Sequence, residues 1–302
     1  MADVRGRRPV ALASGQTVGD LVDRIAHRLS AFGDPKREAR ELVAALLDVP
    51  RHWPLLKENK WLEWDVWQRA LAAAGRRARG APLAYAVRKA SFRRFTLTVD
   101  ERVLIPRPET ELLVDLVLSR CTPGGVAVDV GTGSGAIALA LEGEGEGKFD
   151  RVIGTDISLD AIAVARENAR NLGAARAEFR HGNLLMPAQD AAPFSAIVSN
   201  PPYISYSEIA ELPRAVRDWE PALALLSAGD GLAVTARLVR QASALLEPGG
   251  LLALEVDARR ASLVAELVAS EPALEDVTVK LDLAGRERFV LASRRTEREG
   301  VT

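Results

Sequence analysis

Apolar residues recur every three to four positions near the start of the chain, which is the spacing of an amphipathic helix. Residues 17–33 show this pattern, with Thr17 as the predicted N-cap. Residues 34–49 repeat it, with Asp34 as the cap and Pro35 at the first helical position. A third helix is predicted over residues 66–80, so this part of the chain is expected to form a small helical bundle.

Four of the five tryptophans lie in this helical region, at Trp53, Trp61, Trp64 and Trp67. Large aromatic side chains supply much of the apolar surface that a small bundle can bury. We therefore expect them in the core of the bundle. A partner-facing surface is the alternative for some of them.

The hydrophobic period changes over residues 90–105, where apolar and polar side chains alternate and β-branched and aromatic residues are frequent. This pattern predicts a β-hairpin. Pro106 and Pro108 follow and favour an extended backbone. Thr110 is then predicted to cap a helix over residues 111–120.

From residue 126 onward, short apolar segments alternate with amphipathic ones. Continuous apolar strands separated by helices predict a doubly wound, mostly parallel sheet of the α/β class. The last two strands are separated by a short turn, which predicts an antiparallel edge. The predicted strands cover residues 126–130, 151–157, 177–182, 194–200, 251–257, 277–283 and 288–294.

Composition limits the class of protein. The 302 residues include 40 Lys and Arg and 41 Asp and Glu, a net charge of −1, which argues against binding duplex nucleic acid mainly through phosphate neutralisation. The single cysteine, Cys121, excludes an internal disulfide, and three scattered histidines argue against a metal site. With no apolar run long enough for a membrane span or secretory signal, we expect a cytoplasmic protein.

These patterns together predict how the chain is divided. We expect a disordered leader, a helical substrate-recognition domain, a hairpin linker, a catalytic α/β domain and a short tail. The corresponding ranges are 1–16, 17–89, 90–105, 106–295 and 296–302.

A glycine-rich turn follows the strand at 126–130 and precedes a helix. Its residues are Gly131, Thr132, Gly133, Ser134 and Gly135. Glycines allow a tight turn and a close approach of the backbone to a ligand. The turn therefore predicts a nucleotide-type cofactor, with a plain glycine-rich turn as the alternative.

Further polar residues follow the next two strands. Asp156 comes 25 residues after Gly131, and a carboxylate there can accept both hydroxyls of a ribose. Asn183 and Leu184 follow the third strand and could contact the edge and the face of an adenine, although Asn183 could equally be a cap. NAD and S-adenosylmethionine both fit these residues.

The segment Asn200-Pro201-Pro202-Tyr203 follows the fourth strand, at the edge of the sheet where α/β folds bind ligands. Proline has no N–H, so carbonyls in this turn can face a substrate without a competing donor. The Asn200 side-chain oxygen and the Pro201 carbonyl suit the two hydrogens of a planar amino or amide group, and Tyr203 could stack on it. Hydride transfer has no use for this arrangement.

This segment resembles the motif of methyltransferases that act on adenine N6, guanine N2 and glutamine N5. Together with VLIPRPETE at 103–111, DVGTGSGAIAL at 129–139 and SNPPYIS at 199–205, it identifies a resemblance to the HemK/PrmC family, the peptide chain release factor glutamine methyltransferases. The resemblance extends from about residue 20 to residue 295. It implies a Rossmann-like class I methyltransferase fold.

The resemblance also implies a reaction. S-adenosylmethionine donates a methyl group to the N5 amide of the glutamine in the Gly-Gly-Gln loop of a release factor, and S-adenosylhomocysteine is the product. By this resemblance Gly131–Gly135 hold the methionine end of the cofactor, Asp156 the ribose, and Asn183 and Leu184 the adenine. The expected catalytic and substrate-binding residues are Asn200, Pro201, Pro202 and Tyr203, with Asn200 also touching the cofactor and Arg107 and Glu109 near the substrate or cofactor.

The chain departs from the family pattern at Ala84, Arg88 and Asp257, where a Gln, a Gly and a Gly are common. None of these positions lies in the glycine-rich turn or the Asn-Pro-Pro-Tyr segment, but they could affect partner recognition. Three alternatives therefore stay open: a paralogue that methylates a small molecule, a nucleic-acid amino-methyltransferase, and a binding module without catalysis. We expect a monomer that binds a release factor and neither membrane nor nucleic acid.

Overall fold

A computed structural model describes residues 16–145 and 147–296. These residues divide into two compact units, one ending at Val87 and one beginning at Arg88. The predicted leader, apart from residue 16, and the predicted tail, apart from residue 296, lie outside the described residues. None of the described helices is both long enough and apolar enough to cross a membrane.

The first unit is helical, as predicted. Thr17 caps α1 through a capping box with Asp20, and Asp34 caps α2 with Pro35 at its first position, so both predicted caps are confirmed. The helices are α1 (Val18–Arg28), α2 (Pro35–Leu47), α3 (Trp53–Leu56), α4 (Trp64–Ala78) and α5 (Leu83–Val87).

The expectation that the four tryptophans form the core is wrong for two of them. Trp67 is 4% exposed and Trp53 is partly buried against the core, whereas Trp61 and Trp64 are each 60% exposed. Trp61 precedes α4 in a segment bridged to Thr17, and Trp64 is the first residue of that helix. The buried stripe of α4 is completed by small alanines, which lets this helix pack closely against α1 and α2.

The second unit opens with a hairpin of β1 (Lys89–Phe92) and β2 (Phe95–Thr98), shorter than the predicted 90–105. It continues into a seven-stranded sheet of order β5-β4-β3-β6-β7-β9-β8. The pairs from β5 to β7 are parallel and the last two are antiparallel. The predicted fold class, a doubly wound sheet with an antiparallel edge, is confirmed.

The strands of this sheet are β3 (Val126–Val130), β4 (Arg151–Asp156), β5 (Ala177–His181), β6 (Phe194–Ser199), β7 (Leu246–Glu255), β8 (Leu274–Leu281) and β9 (Glu287–Arg294). The helices of this unit are α6 (Pro108–Arg120), α7 (Ala136–Glu144), α8 (Leu159–Leu172), α9 (Arg214–Arg217), α10 (Ala222–Leu225), α11 (Ala233–Leu245) and α12 (Ala261–Ala269). Short 3₁₀ helices span Met186–Ala191, Tyr206–Glu211 and Ala258–Arg260.

Alternate residues of the inner strands enter two separate cores, one on each face of the sheet. In β6, Ala196 and Val198 pack on the face covered by α6, α7 and α8, whereas Ile197 packs on the face covered by α11 and α12. This alternation follows from the period of two along a strand. Both faces are therefore buried, which explains why the central strands read as continuous apolar runs.

The prediction that Thr110 caps α6 is wrong. The helix begins at Pro108 with Arg107 as its N-cap. Proline suits this first position because its missing N–H would have no partner there and its φ is already helical. Thr110 lies in the first turn instead, where its side chain is buried.

Candidate active site

The order of the strands places a crevice between β3 and β6. The chain leaves β3 toward β4 on one side, and β6 continues toward β7 on the other, so the helices after β3 and β6 diverge. The Ser199 hydroxyl donates to the Val130 carbonyl at 2.6 Å and joins the carboxyl ends of these two strands. Open α/β sheets bind ligands at this kind of switch point.

A cavity of about 220 Å³ opens at this edge of the sheet. Many of the predicted site residues line it, which brings together positions from four strand ends. They are Gly131, Gly133, Asp156, Asn183, Leu184, Asn200 and Pro202. The remaining predicted residues, Thr132, Ser134, Gly135, Pro201, Tyr203, Arg107 and Glu109, do not line it.

Sequence reasoning missed most of the apolar wall of the cavity. Val103 and Leu104 come from the segment before α6, and Leu223 and Leu226 come from the segment around α10. The apolar residues after Pro221 were a weak signal, because only the fold shows that they line the same cavity as the glycine-rich turn. The lining also includes two cations, Arg102 and Arg237.

The glycine-rich turn leaves space for a ligand. Gly131 has a φ of +75° and Gly133 a φ of +55°, in the left-handed region that favours glycine. A Cβ at either position would meet no other protein atom within 4 Å, although both residues line the cavity. The turn is thus a backbone cradle beside open space.

Asp129 supports the glycine-rich turn through its carboxylate. The sequence alone did not identify this residue. Its Oδ2 accepts hydrogen bonds from the Thr132 hydroxyl at 2.6 Å and from the Ala138 N–H at 3.1 Å. Complete burial raises the pKa of Asp129 to about 7, against the opposing effect of these bonds. Thr132 therefore supports the shape of the turn through its hydroxyl.

Asn168 is a second support that sequence reasoning missed. Its Nδ2 donates to the Ser134 carbonyl at 2.9 Å and to the Thr98 carbonyl at 3.0 Å, and its Oδ1 accepts from the Thr98 N–H at 2.7 Å. This side chain joins the glycine-rich turn to the hairpin. A polar residue in the buried stripe of α8 was the available signal.

Asp156 is oriented by two backbone amides at the end of β4. The Gly133 N–H donates to its Oδ2 at 3.0 Å and the Ser158 N–H donates to its Oδ1 at 2.9 Å. Burial raises the pKa of Asp156 above its usual value, and the two amide bonds oppose this rise. Each carboxylate oxygen keeps a lone pair, so the group can accept two neighbouring hydroxyls.

The turn after β5 presents Asn183 and Leu184 to the cavity. Leu184 has a φ of +51°, a conformation that costs a non-glycine residue ~1–2 kcal/mol. The next residue, Leu185, donates its N–H to Gln241 Oε1 at 3.1 Å, which helps to hold this turn. Backbone strain of this kind is common in residues that contact ligands.

The Asn-Pro-Pro-Tyr segment is held at its C-terminal end. The Ile204 N–H donates to the Leu225 carbonyl at 3.0 Å, and the Ser227 N–H donates to the Ile204 carbonyl at 2.9 Å. Gly231, with a φ of +87°, lies so close that a Cβ there would collide with the Tyr203 carbonyl oxygen. These contacts fix the end of the segment, and its two consecutive prolines restrict the backbone dihedrals within it.

Two sequence families match the chain in order. The profile described as the PrmC N-terminal domain matches residues 20–87, and the one described as the methyltransferase small domain matches residues 108–213. A release factor glutamine methyltransferase of Moorella thermoacetica is 39% identical over 283 residues, covering 93% of this chain and 99% of that protein. The corresponding protein of Deinococcus radiodurans is 40% identical over 280 residues, covering 91% and 98%.

The chain belongs to the release factor glutamine methyltransferase family. The resemblance noted from the sequence motifs is thus confirmed, and the cofactor is S-adenosylmethionine. Among solved structures, a methyltransferase from Pyrococcus furiosus aligns with 66% of this chain and 88% of that chain, at 20% identity and a TM-score of 0.49.

Within this glutamine methyltransferase, Tyr203 is a neutral aromatic side chain. Burial, followed by the charge of Glu255, raises its pKa to about 12. The phenol therefore stays protonated at neutral pH. Tyr203 can offer a flat surface or a hydroxyl donor, but it is unsuited to act as a base.

Arg107 and Glu109 are engaged in ion pairs. Arg107 Nη2 donates to both carboxylate oxygens of the buried Glu220, at 2.7 and 2.9 Å, and Arg286 Nη2 lies 3.4 Å from Glu109 Oε1. Burial raises the pKa of Glu220, although Arg107 opposes this rise. The predicted contacts of Arg107 and Glu109 with substrate or cofactor stay predictions.

Two of the departures from the family pattern lie at positions with a distinctive local structure. Arg88 has a φ of +59°, in the left-handed region that the glycine common in the family adopts without strain. Asp257 caps the 3₁₀ helix Ala258–Arg260 and pairs with Arg259. Neither residue lines the cavity.

Proposed function

We propose that this chain transfers the methyl group of S-adenosylmethionine to the side-chain amide nitrogen of the glutamine in the Gly-Gly-Gln loop of peptide chain release factors. Its membership of the release factor glutamine methyltransferase family supports the substrate. The observation in the structure that carries the proposal is the position of Asn200. It lines the cavity at the strand ends and begins a segment that contains two residues without an N–H.

The cofactor supplies an electrophilic methyl group on a sulfonium ion. We assign the backbone of Gly131 and Gly133 to its methionine end and the Asp156 carboxylate to its ribose. We assign Asn183 and Leu184 to the adenine. These assignments are supported by the shared cavity, by the open space beside the two glycines and by the lone pairs that Asp156 retains.

The same proposal assigns the glutamine amide to Asn200, Pro201 and Tyr203. Its two hydrogens donate to the Asn200 Oδ1 and to the Pro201 carbonyl, while the Tyr203 ring packs on the amide plane. An amide nitrogen is a weak nucleophile, so alignment and preorganised hydrogen bonds account for most of the acceleration. Pro202 keeps this segment rigid.

The first unit is the proposed substrate-recognition domain, in keeping with the division of the chain predicted from sequence. Its large exposed apolar side chains, Leu55, Leu56, Trp61 and Trp64, suit contact with the folded part of a release factor. We propose a monomer that does not bind nucleic acid and works in the cytoplasm. The single cysteine is in keeping with a reducing compartment.

The proposal is tested by methyl transfer from radiolabelled S-adenosylmethionine to a purified bacterial release factor. A release factor with its loop glutamine changed to alanine is the matched control. We expect label on the first protein and none on the second. Cofactor binding with no label on either would contradict the assigned substrate and favour a small-molecule acceptor.

A further inference from the structure

The Thr110 hydroxyl lies between two other polar side chains. Its Oγ1 donates to Glu255 Oε2 at 2.6 Å, and Asn200 Nδ2 donates to the same Oγ1 at 3.4 Å. These residues come from α6, from the end of β7 and from the segment after β6. Thr110 and Glu255 are 145 residues apart in sequence and only 4% and 1% exposed.

The direction of these hydrogen bonds follows from the number of protons. A threonine hydroxyl has one hydrogen and two lone pairs, and an ionised carboxylate can only accept. When Glu255 is ionised, the short bond to it therefore uses the single hydrogen of Thr110. Thr110 therefore faces Asn200 with a lone pair. The Asn200 NH₂ group can donate to this lone pair, whereas the Asn200 carbonyl oxygen would be repelled by it.

This direction matters because the two ends of an asparagine amide have nearly the same shape and opposite hydrogen-bonding character. We infer that Thr110 and Glu255 are positioning residues that hold the Asn200 amide with Oδ1, rather than Nδ2, toward the substrate amide. The inference rests on the proposed function, in which Asn200 Oδ1 accepts from the substrate. A flipped Asn200 would set its own NH₂ group against the NH₂ group of the glutamine.

Thr110 is the hydrogen-bond donor to Glu255, because the nearby cations donate to other groups. Arg107 and Arg288 are the nearby cations and Glu109 the nearby anion. Arg107 instead donates to Glu220, and Arg288 donates to the Val256 carbonyl. Among the described residues, the hydrogen bond from Thr110 is the one that a side chain makes to this carboxylate. In a buried site such a bond is strong, because water does not compete with it.

Two substitutions separate the hydroxyl from the shape of the side chain. Thr110→Val keeps the shape and removes the hydroxyl, whereas Thr110→Ser keeps the hydroxyl. At saturating S-adenosylmethionine and release factor, we expect Thr110→Val to lower kcat by at least about 10-fold, through loss of a preorganised acceptor. Thr110→Ser should retain most of the wild-type rate, and the affinity of both variants for S-adenosylmethionine should match wild type.

A readout without turnover comes from the side-chain amide resonances of Asn200 in NMR spectra. We expect them to shift in Thr110→Val and to stay near their wild-type positions in Thr110→Ser. Glu255→Gln is the second variant, used if Thr110→Val fails to fold. Because glutamine can donate to Thr110 as well as accept from it, the direction of the bonds is no longer set, and kcat should fall.

Two outcomes would overturn the inference, and a third would overturn the proposed function. A Thr110→Val enzyme with the wild-type kcat and unshifted Asn200 resonances would overturn the inference. Equal losses in Thr110→Ser and Thr110→Val would also overturn it, because they would indicate a packing role. If the wild-type protein failed to label any release factor, the proposed function would fail, while the Asn200 resonances would still test the inference.

Discussion

The Gly133 N–H donates to Oδ2 of Asp156 at 3.0 Å, so the residues assigned to two adjacent parts of the cofactor, its methionine end and its ribose, are directly bonded. Gly133 belongs to the turn after β3 and Asp156 ends β4. Their separation in sequence is bridged because the two strands are parallel neighbours. The bond aligns the carboxylate with the cradle before any ligand arrives.

Asp156→Ala should weaken binding of S-adenosylmethionine by about 10- to 100-fold, the effect of losing charge-assisted hydrogen bonds worth about 1.5–3 kcal/mol. Isothermal titration calorimetry measures this affinity directly. Asp160→Ala on the exposed side of α8 is the control and should bind normally. Unchanged affinity in Asp156→Ala would contradict the assignment to the ribose.

Asn200→Ala should lower the rate of methyl transfer at saturating cofactor by at least about 100-fold, because it removes a preorganised acceptor from the reacting amide. The affinity for S-adenosylmethionine should change far less. Single-turnover transfer of label to a release factor measures the rate. Tyr206→Phe, a nearby exposed position, should leave it unaltered. A near-normal rate in Asn200→Ala would be incompatible with the assigned role.

Asn168→Ala should lower the free energy of unfolding by about 2–4 kcal/mol, because buried carbonyls lose their donors. Urea denaturation followed by circular dichroism measures this change. Asn171→Ala provides a matched control on the same helix, since Asn171 is exposed and its loss should cost within about 0.5 kcal/mol. Equal stability of the two variants would show that the bonds from Asn168 are not stabilising.

The pH dependence of kcat should report the ionisation of Glu255. Burial raises its pKa to about 7, with Thr110 and the nearby Arg107 and Arg288 lowering it and Glu109 raising it. The carboxylate accepts best from Thr110 when ionised, so kcat should rise as the pH rises through about 7. In Thr110→Val this step should be absent, and its persistence there would assign the titration to another group.

Stability should respond to the same ionisation in the opposite direction. Because folding raises the pKa of Glu255, the fold favours the protonated carboxyl. Its contribution to the free energy of unfolding is complete below the ordinary pKa of a glutamate and is lost as the pH rises toward about 7. Comparing the pH dependence of unfolding in wild type and Glu255→Gln isolates this contribution.

Much of the architecture and part of the site were accessible from sequence because their signals are local. Helical spacing, the caps Thr17 and Asp34, and apolar strands followed by turns identified the elements and the parallel sheet. The Gly131–Gly135 turn and the Asn200–Tyr203 segment are contiguous, so their chemistry could be read without knowing the fold. Strand-end positions such as Asp156 followed from the rule that parallel strands share a carboxyl edge.

Contacts between distant segments were decided by the tertiary structure alone. Thr110 does not cap α6, because the helix already begins at Pro108. Its hydroxyl instead donates to Glu255, because packing brings β7 alongside α6. Trp64 is exposed because burial depends on which neighbours reach a residue as well as on its own hydrophobicity. Local sequence thus determined the elements and the chemical groups, whereas packing determined which groups meet, which are buried and in which direction their hydrogen bonds run.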